Sequence, residues 1–168
     1  MNLLDIQKLS KRYAVRKLTP ADAEMIYSFC QKNTQYYEYC GKQLTLKLIG
    51  QDLRIVPPGF PPAQKYYVGF FENAELVAVM DLLAGYPTDE YAYIGFFMMA
   101  RDRQGKGVGS LIVDEIFAYL RGQGFRKCRL GIDKANPQSN HFWKKNGFKV
   151  IKEVQLQEGT VLVAERSL

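Results

Sequence analysis

One stretch constrains this chain more than any other: Arg103-Gln104-Gly105-Lys106-Gly107-Val108-Gly109-Ser110, with three glycines at alternate positions. A β-rich run, Tyr91 to Met99, precedes it, and an amphipathic helix follows, with Val108, Leu111, Ile112, Ile116 and Leu120 on one face. Glycine lets successive backbone N–H groups converge on an anion without interference from Cβ. The start of the helix adds unpaired N–H donors and the positive end of its dipole. A phosphate or pyrophosphate site is the direct physical reading, and a glycine-rich tight turn is the plainer one. Two familiar phosphate loops do not fit. The dinucleotide fingerprint needs a third glycine where Ser110 stands, and no glycine precedes a Lys-Ser or Lys-Thr pair as a nucleotide-hydrolysing loop requires.

The rest of the chain alternates strand and helix patterns. Arg12 to Leu18 is a short strand-like run, and Thr19-Pro20-Ala21-Asp22 opens a helix that Ala23, Ile26, Tyr27 and Cys30 continue. A second helix is expected over Leu44 to Leu53, ended by the proline-rich loop Pro57 to Pro62. Tyr66–Phe71 and Leu76–Leu83 form a hairpin, and Cys128–Ile132 reads as a buried strand. A helix from Asn136-Pro137 to Gly147 and two closing strands, Phe148–Leu156 and Val161–Arg166, complete a mixed α/β sheet.

Composition excludes several classes. With 168 residues, 47% hydrophobic and 24% charged, the chain can bury a core of its own, as a single domain over residues 1–168. No apolar run approaches the roughly 20 residues of a membrane span. The stretch from Met1 to Arg12 lacks the apolar core of a signal peptide, so the expectation is a cytoplasmic protein without a membrane partner. Cys30, Cys40 and Cys128 are odd in number without a C-x-x-C pair, which argues against zinc and against a disulfide framework. No metal site is expected. The net charge of +6 suits a phosphorylated ligand, an acidic partner or simple solubility. Without a dense basic block interleaved with aromatics, it argues little for nucleic acid.

What remains of the glycine stretch is Gln104-x-x-Gly107-x-Gly109, and it resembles the pyrophosphate loop of the GNAT superfamily of acyl-CoA N-acetyltransferases. A second segment, Asn136-Pro137-Gln138-Ser139-Asn140-His141-Phe142-Trp143-Lys144-Lys145-Asn146-Gly147-Phe148, resembles that family's last helix, and Val15 to Ala23 its first strand and helix. The resemblance implies an α/β (α+β) domain with a mainly antiparallel sheet flanked by helices and splayed between the fourth and fifth strands. It implies acetyl-CoA as co-substrate and a small-molecule or peptide amine as acceptor. The acetyl group would move by direct attack of the amine on the thioester in a ternary complex. A homodimer is common in the family.

By position, the resemblance assigns the pyrophosphate to backbone N–H groups of Gln104, Gly105, Lys106, Gly107, Val108, Gly109 and Ser110. Phe97, Met98 and Met99 would pair with the pantetheine arm like an added strand, Asn136 would bond it, and Phe142 would pack beside the thiol. On their own, Phe97, Met98 and Met99 read equally as core, and Asn136 as a helix cap. The family's strand glutamate falls near Tyr93, with Glu90 at the strand entrance, and these two are the catalytic candidates; each reads otherwise as a half-buried aromatic and a solvated carboxylate. His141 and Asp133 are equally open. Where the family has a tyrosine to protonate the leaving thiolate, this chain has Trp143, whose indole N–H donates but is no acid. That departure favours the alternative of a non-catalytic acyl-CoA sensor. Tyr36, Tyr37, Tyr39, Phe60 and the proline-rich loop fall where the family walls its acceptor site.

Overall fold

The computed structural model describes residues 3–168; Met1 and Asn2, which the expected domain includes, lie outside the described residues. The chain runs β1 (Ala14–Lys17), α1 (Ala23–Gln31), α2 (Thr34–Cys40), α3 (Leu46–Asp52), β2 (Lys65–Glu72), β3 (Glu75–Ala84), β4 (Tyr91–Met99), α4 (Val108–Gly122), β5 (Lys127–Asp133), α5 (Pro137–Lys145), β6 (Lys149–Leu156) and β7 (Gly159–Ser167). All the strands join one seven-stranded sheet in the order β1-β2-β3-β4-β5-β7-β6. Every neighbouring pair is antiparallel except β4 and β5, which are parallel. The mixed α/β domain with a mainly antiparallel sheet is therefore as expected.

The sheet is buried on both sides, which is why β2 and β3 are nearly continuous apolar runs. On one face Ile112, Ile116 and Leu120 of α4 and Trp143 of α5 pack over Val68, Met80, Ile94 and Leu130. On the other, Ile26, Phe29 and Cys30 of α1 and Ile49 of α3 pack over Tyr67, Val79 and Met98. Burial pushes the Cys30 thiol up to about 11. All three cysteines are free thiols.

Several local outcomes differ from expectation, among them the unexpected helix α2. Thr19 caps a single 3-10 turn, Pro20–Asp22, and α1 begins only at Ala23. Another 3-10 turn, Ile6–Leu9, precedes β1. The helix expected over 44–53 is shorter, because the Thr45 hydroxyl accepts from Leu48 N–H at 3.0 Å and so sets its start.

One irregularity shapes the molecule. β4 pairs with β5 only from Tyr91↔Lys127 to Ile94↔Leu130, after which the two strands part. Directly past Ile94 the β3–β4 register jumps from Leu82↔Ile94 to Asp81↔Phe96, leaving Gly95 as the extra residue of a β-bulge. Bulges bend a strand and end its pairing on the far edge. A Cβ on Gly95 would stand 2.8 Å from Asp81 Oδ2, so the carboxylate occupies the space a side chain would need. Lys65 holds that carboxylate with its ammonium 2.7 Å from both oxygens, and both residues are buried. Burial pushes the Asp81 carboxyl above its ordinary value, and Lys65 opposes it.

Two outcomes test this frame. Lys65→Met leaves Asp81 buried without a partner and is expected to cost about 3–5 kcal/mol in urea unfolding, whereas Lys65→Met with Asp81→Leu should recover most of it. Hydrogen bonds from Arg16, at 2.9 and 3.1 Å, hold the Asp22 carboxyl below its ordinary value against burial, and the Thr19 N–H adds to them. A lowered carboxyl stabilises the fold above its unfolded value of 3.8, and that stabilisation disappears as pH falls through the folded value. Asp22→Asn should therefore lower the neutral-pH melting temperature by about 2–4 °C, for a cap worth about 1 kcal/mol, and the difference should vanish in acid.

Candidate active site

Where β4 leaves β5, the sheet opens into a cavity of about 420 Å³. That is within the range of about 300–1,000 Å³ usual for small-molecule sites. Phe97, Met98 and Met99 of β4 form one side, the glycine stretch another, and Asn136, Ser139 and Phe142 from the α5 segment a third. A narrower cavity of about 60 Å³ lies between the separated strands, lined by Gly95 and Phe96 on one side and Gly131 and Asp133 on the other. Tyr36, Phe97, Asn136, Ser139 and Trp143 line both, so the two adjoin across a shared wall.

The glycine stretch is built as an anion cradle. Gly105 (φ 72°) and Gly107 (φ 77°) are left-handed, a conformation that side chains disfavour. Gly107 is also the N-cap of α4 and offers no side chain to the first-turn amides, which remain open to a ligand. Gly109 serves differently: a Cβ there would lie 3.1 Å from Phe142 and 3.3 Å from Met99, so its absence lets α4 dock against β4 and α5. Arg101, Arg103 and Lys145 add positive charge to the lining, with Arg103 partly neutralised by Glu72 at 2.7 Å.

Gln104 is held by protein partners, not left free for a ligand. Its Nε2 donates to Asn33 Oδ1 (2.6 Å) and to the Met99 carbonyl (3.1 Å), and its Oε1 accepts from Gln138 Nε2 (3.1 Å). One carboxamide thereby ties the loop to the α1–α2 junction, the end of β4 and the start of α5. Ser110 Oγ accepts from Asn146 Nδ2 at 3.1 Å and fixes the first turn of α4 to the end of α5. Asn136 is buried, and its Oδ1 accepts from Ser139 N–H at 3.0 Å, the capping role read from the Asn-Pro pair.

Of the residues singled out for the cofactor, Phe97, Met98, Met99, Gln104, Gly105, Gly107, Gly109, Ser110, Asn136 and Phe142 come together around the larger cavity. Lys106 and Val108 are not in its lining: Lys106 Nζ donates to the Asp102 carbonyl at 2.9 Å, and Val108 packs toward the core. His141 lines the larger cavity, and Asp133 the narrow one.

The two catalytic candidates separate. Tyr93 is edge-on to Tyr86, which is edge-on to Phe60, and its hydroxyl stands 3.7 Å from the place of a Cβ on Gly131. It thus borders the strand floor of the narrow cavity without lining it, and burial pushes its phenol up, so it is neutral. Glu90 directly precedes β4, at the end of the strand away from the larger cavity. Its carbonyl accepts from Arg126 N–H (2.9 Å) and Lys127 N–H (3.3 Å), its exposed carboxylate meets Arg126 at 3.5 Å, and it lines neither cavity. Trp143 is buried edge-on to Phe142 and Phe148, facing both cavities.

Asn33 and the tyrosine wall of α2 carry no motif. Only the cluster of tyrosines signalled them, and Tyr36 does stand at the site, edge-on to Phe96 with ring centroids 5.3 Å apart. Among the described residues, no group of three His, Cys, Asp or Glu side chains could hold a metal ion, and no helix is long and apolar enough to cross a membrane.

Comparison with known proteins gives this geometry a family. No curated protein matches the chain. Among solved structures, it is similar to an acetyltransferase from Thermus thermophilus, at 24% identity and a TM-score of 0.75 over 100% of both chains. It is also similar to a Salmonella typhimurium acetyl transferase that modifies the N-terminal serine of a 50S ribosomal subunit protein, at 19% identity and a TM-score of 0.72, covering 95% of this chain and 97% of that one. A third is the PaiA N-acetyltransferase of Thermoplasma acidophilum in complex with coenzyme A, at 17% identity and a TM-score of 0.65, covering 92% of this chain and 98% of the other. The pattern of the Acetyltransferase (GNAT) family matches residues 26–148, well over half of the 168, with the glycine cradle, the parting strands and all of α5 inside the match. The chain belongs to the GNAT acetyltransferase family, whose common chemistry is acyl transfer from acetyl-CoA.

Proposed function

We propose that the whole chain is one domain that moves an acetyl group from acetyl-CoA to a primary amine, with both substrates bound at once. The observation that carries this reading is the path traced by three adjoining features: the anion cradle, the free edge of β4 and the narrow cavity beside it. β4 keeps its β3 partner through Met99 but has no β5 partner after Ile94, so the backbone edge there, apart from the Met99 carbonyl that Gln104 holds, is open to an extended ligand. An amide-bearing arm attached to a pyrophosphate fits those two features in that order. Neighbouring folds that bind coenzyme A or modify a protein N-terminus support the same reading.

Bound acetyl-CoA supplies an activated thioester; the neutral amine forms the C–N bond as the C–S bond breaks. The chain does the rest. Loop amides from Gly105 to Ser110 hold the pyrophosphate, and the Phe97–Met99 edge aligns the arm. Asn136 offers its side chain beside that arm while capping α5, and Phe142 and Trp143 shield the reacting end from water. Backbone N–H groups of the diverging β4 face the carbonyl oxygen as it gains charge. The ammonium proton passes outward to solvent through the narrow cavity, with the neutral Tyr93 phenol orienting water on its floor. The second amine proton goes to the departing thiolate. Trp143 donates a hydrogen bond there without transferring a proton.

The indole in place of a tyrosine specifically favours a second reading, a domain that binds acyl-CoA without turnover. Thiol release from acetyl-CoA, followed with phenethylamine and with a peptide bearing a free N-terminal serine, separates the two. We expect amine-dependent thiol release with an acetylated product by mass spectrometry. Gly107→Val, which forces a branched side chain into a left-handed cap, should reduce it at least tenfold. Binding of acetyl-CoA with no release toward any amine would establish the binding module instead.

A further inference from the structure

The two cavities differ in charge. The larger one is lined by Arg101, Arg103 and Lys145 and opens on the amino end of α4, so it suits an anion. In the narrow cavity the only charged side chain among the described residues is Asp133, the last residue of β5. In a chain of net charge +6, a lone carboxylate at the far end of the path is a local reversal of sign.

The carboxylate is fixed in place. Asp133 Oδ1 accepts the Ala135 N–H at 3.0 Å, which locks the side chain into a tight turn, while Oδ2 takes no protein hydrogen bond among the described residues. The Asp133 carbonyl accepts from Asn140 Nδ2 at 3.1 Å and from Asn136 N–H at 3.0 Å, binding this turn to the head of α5. The neighbouring cation, Lys134, is engaged elsewhere, 3.0 Å from both oxygens of Glu153. Tyr36 and Cys40, which face Asp133 from α2, are both pushed up by burial, with its negative charge adding to the effect, so neither brings a second anion to the cavity. Gly131, two residues back on the same face of β5, also lines the narrow cavity, and the Val161 side chain fills the space that a Cβ there would need, with Cγ1 at 2.9 Å.

Building on the acetyltransferase reading, we infer that Asp133 Oδ2 is the acceptor-binding group, holding the ammonium of a primary amine that carries a single positive charge. One carboxylate in the lining matches one cation, so a mono-cationic amine, such as a peptide N-terminus or a small arylalkylamine, fits better than a polyamine. Anion recognition at one end of the path and cation recognition at the other also orient the two substrates head to head. The negative charge of Asp133 would otherwise remain unanswered, and an ionic contact in a narrow cavity is worth more than one on an exposed surface.

The test uses equilibrium binding, which does not require turnover. Phenethylammonium and its neutral counterpart 2-phenylethanol are titrated calorimetrically into the full-length protein, with and without saturating CoA. Wild type should bind the ammonium at least tenfold more tightly than the alcohol, and Asp133→Asn should bind the two alike. Asparagine keeps the Oδ1 bond to Ala135, so the melting temperature and the affinity for acetyl-CoA should stay unchanged, and Asp133→Glu should restore part of the preference. The ammonium-to-alcohol ratio is insensitive to a purely structural role. Equal binding of the two probes by wild type, or a preference that survives Asp133→Asn, would overturn the assignment. Failure of acetyl-CoA to bind would instead overturn the acetyltransferase reading, while the titration without CoA still judges Asp133.

Discussion

The architecture of the site depends on a buried ion pair in a gap left by a glycine. Asp81 on β3 reaches into the space that a side chain on Gly95 would fill, and Lys65 on β2 holds it there at 2.7 Å. The extra residue in β4 bends the strand away from β5, and the parallel pairing ends at Ile94. Without that bend, β4 and β5 would zip together and the narrow cavity would close. Such a pair is weak evidence for stability in itself, because desolvating two charges offsets much of their attraction. Its value here is geometric: Lys65 holds the Asp81 carboxylate in the space that the glycine of the bulge leaves free.

Everything downstream is arranged around the opening. The Gln104 carboxamide joins the α1–α2 junction, the end of β4 and the start of α5, so the cradle cannot shift without moving the walls on either side. Gly109 lets α4 approach β4 closely enough for its amino end to face the same space. The large cavity carries positive charge and the adjoining narrow one a single carboxylate, the polarity that the proposed anionic donor and cationic acceptor would need. Phe97 and Trp143, which line both cavities, belong to an aromatic cluster with Phe142 and Phe148.

Much of this was legible in the sequence, for identifiable reasons. The glycines of the cradle, the Asn-Pro start of α5 and the apolar face of α4 are local features whose chemistry needs nothing distant. Gly95, an isolated glycine in a β run, was itself a bulge signal. The partner that fixes it was not readable: Asp81 sits inside the run Leu76–Leu83, and Lys65 is sixteen residues from it. Helix α2 is not legible in the sequence because Thr-Gln-Tyr-Tyr-Glu-Tyr-Cys is short, is dominated by residues of middling helix propensity and has only partly buried side chains. It forms through tertiary contact, with Tyr36 against Phe96 and Asn33 bonded to Gln104. Asp133 belongs to no motif, and only the parting of β4 from β5 gives its carboxylate a cavity to face.

The central claim is that the cradle and the free edge of β4 together bind acetyl-CoA. Isothermal calorimetry of the purified protein with acetyl-CoA, beside ATP as a ligand with phosphates but no pantetheine arm, tests it most directly. The account predicts micromolar binding of acetyl-CoA and at least tenfold weaker binding of ATP, because ATP cannot use the open strand edge. Equal affinity for the two would contradict the strand-edge assignment, and no binding of acetyl-CoA would reduce Gln104 to Gly109 to an ordinary turn.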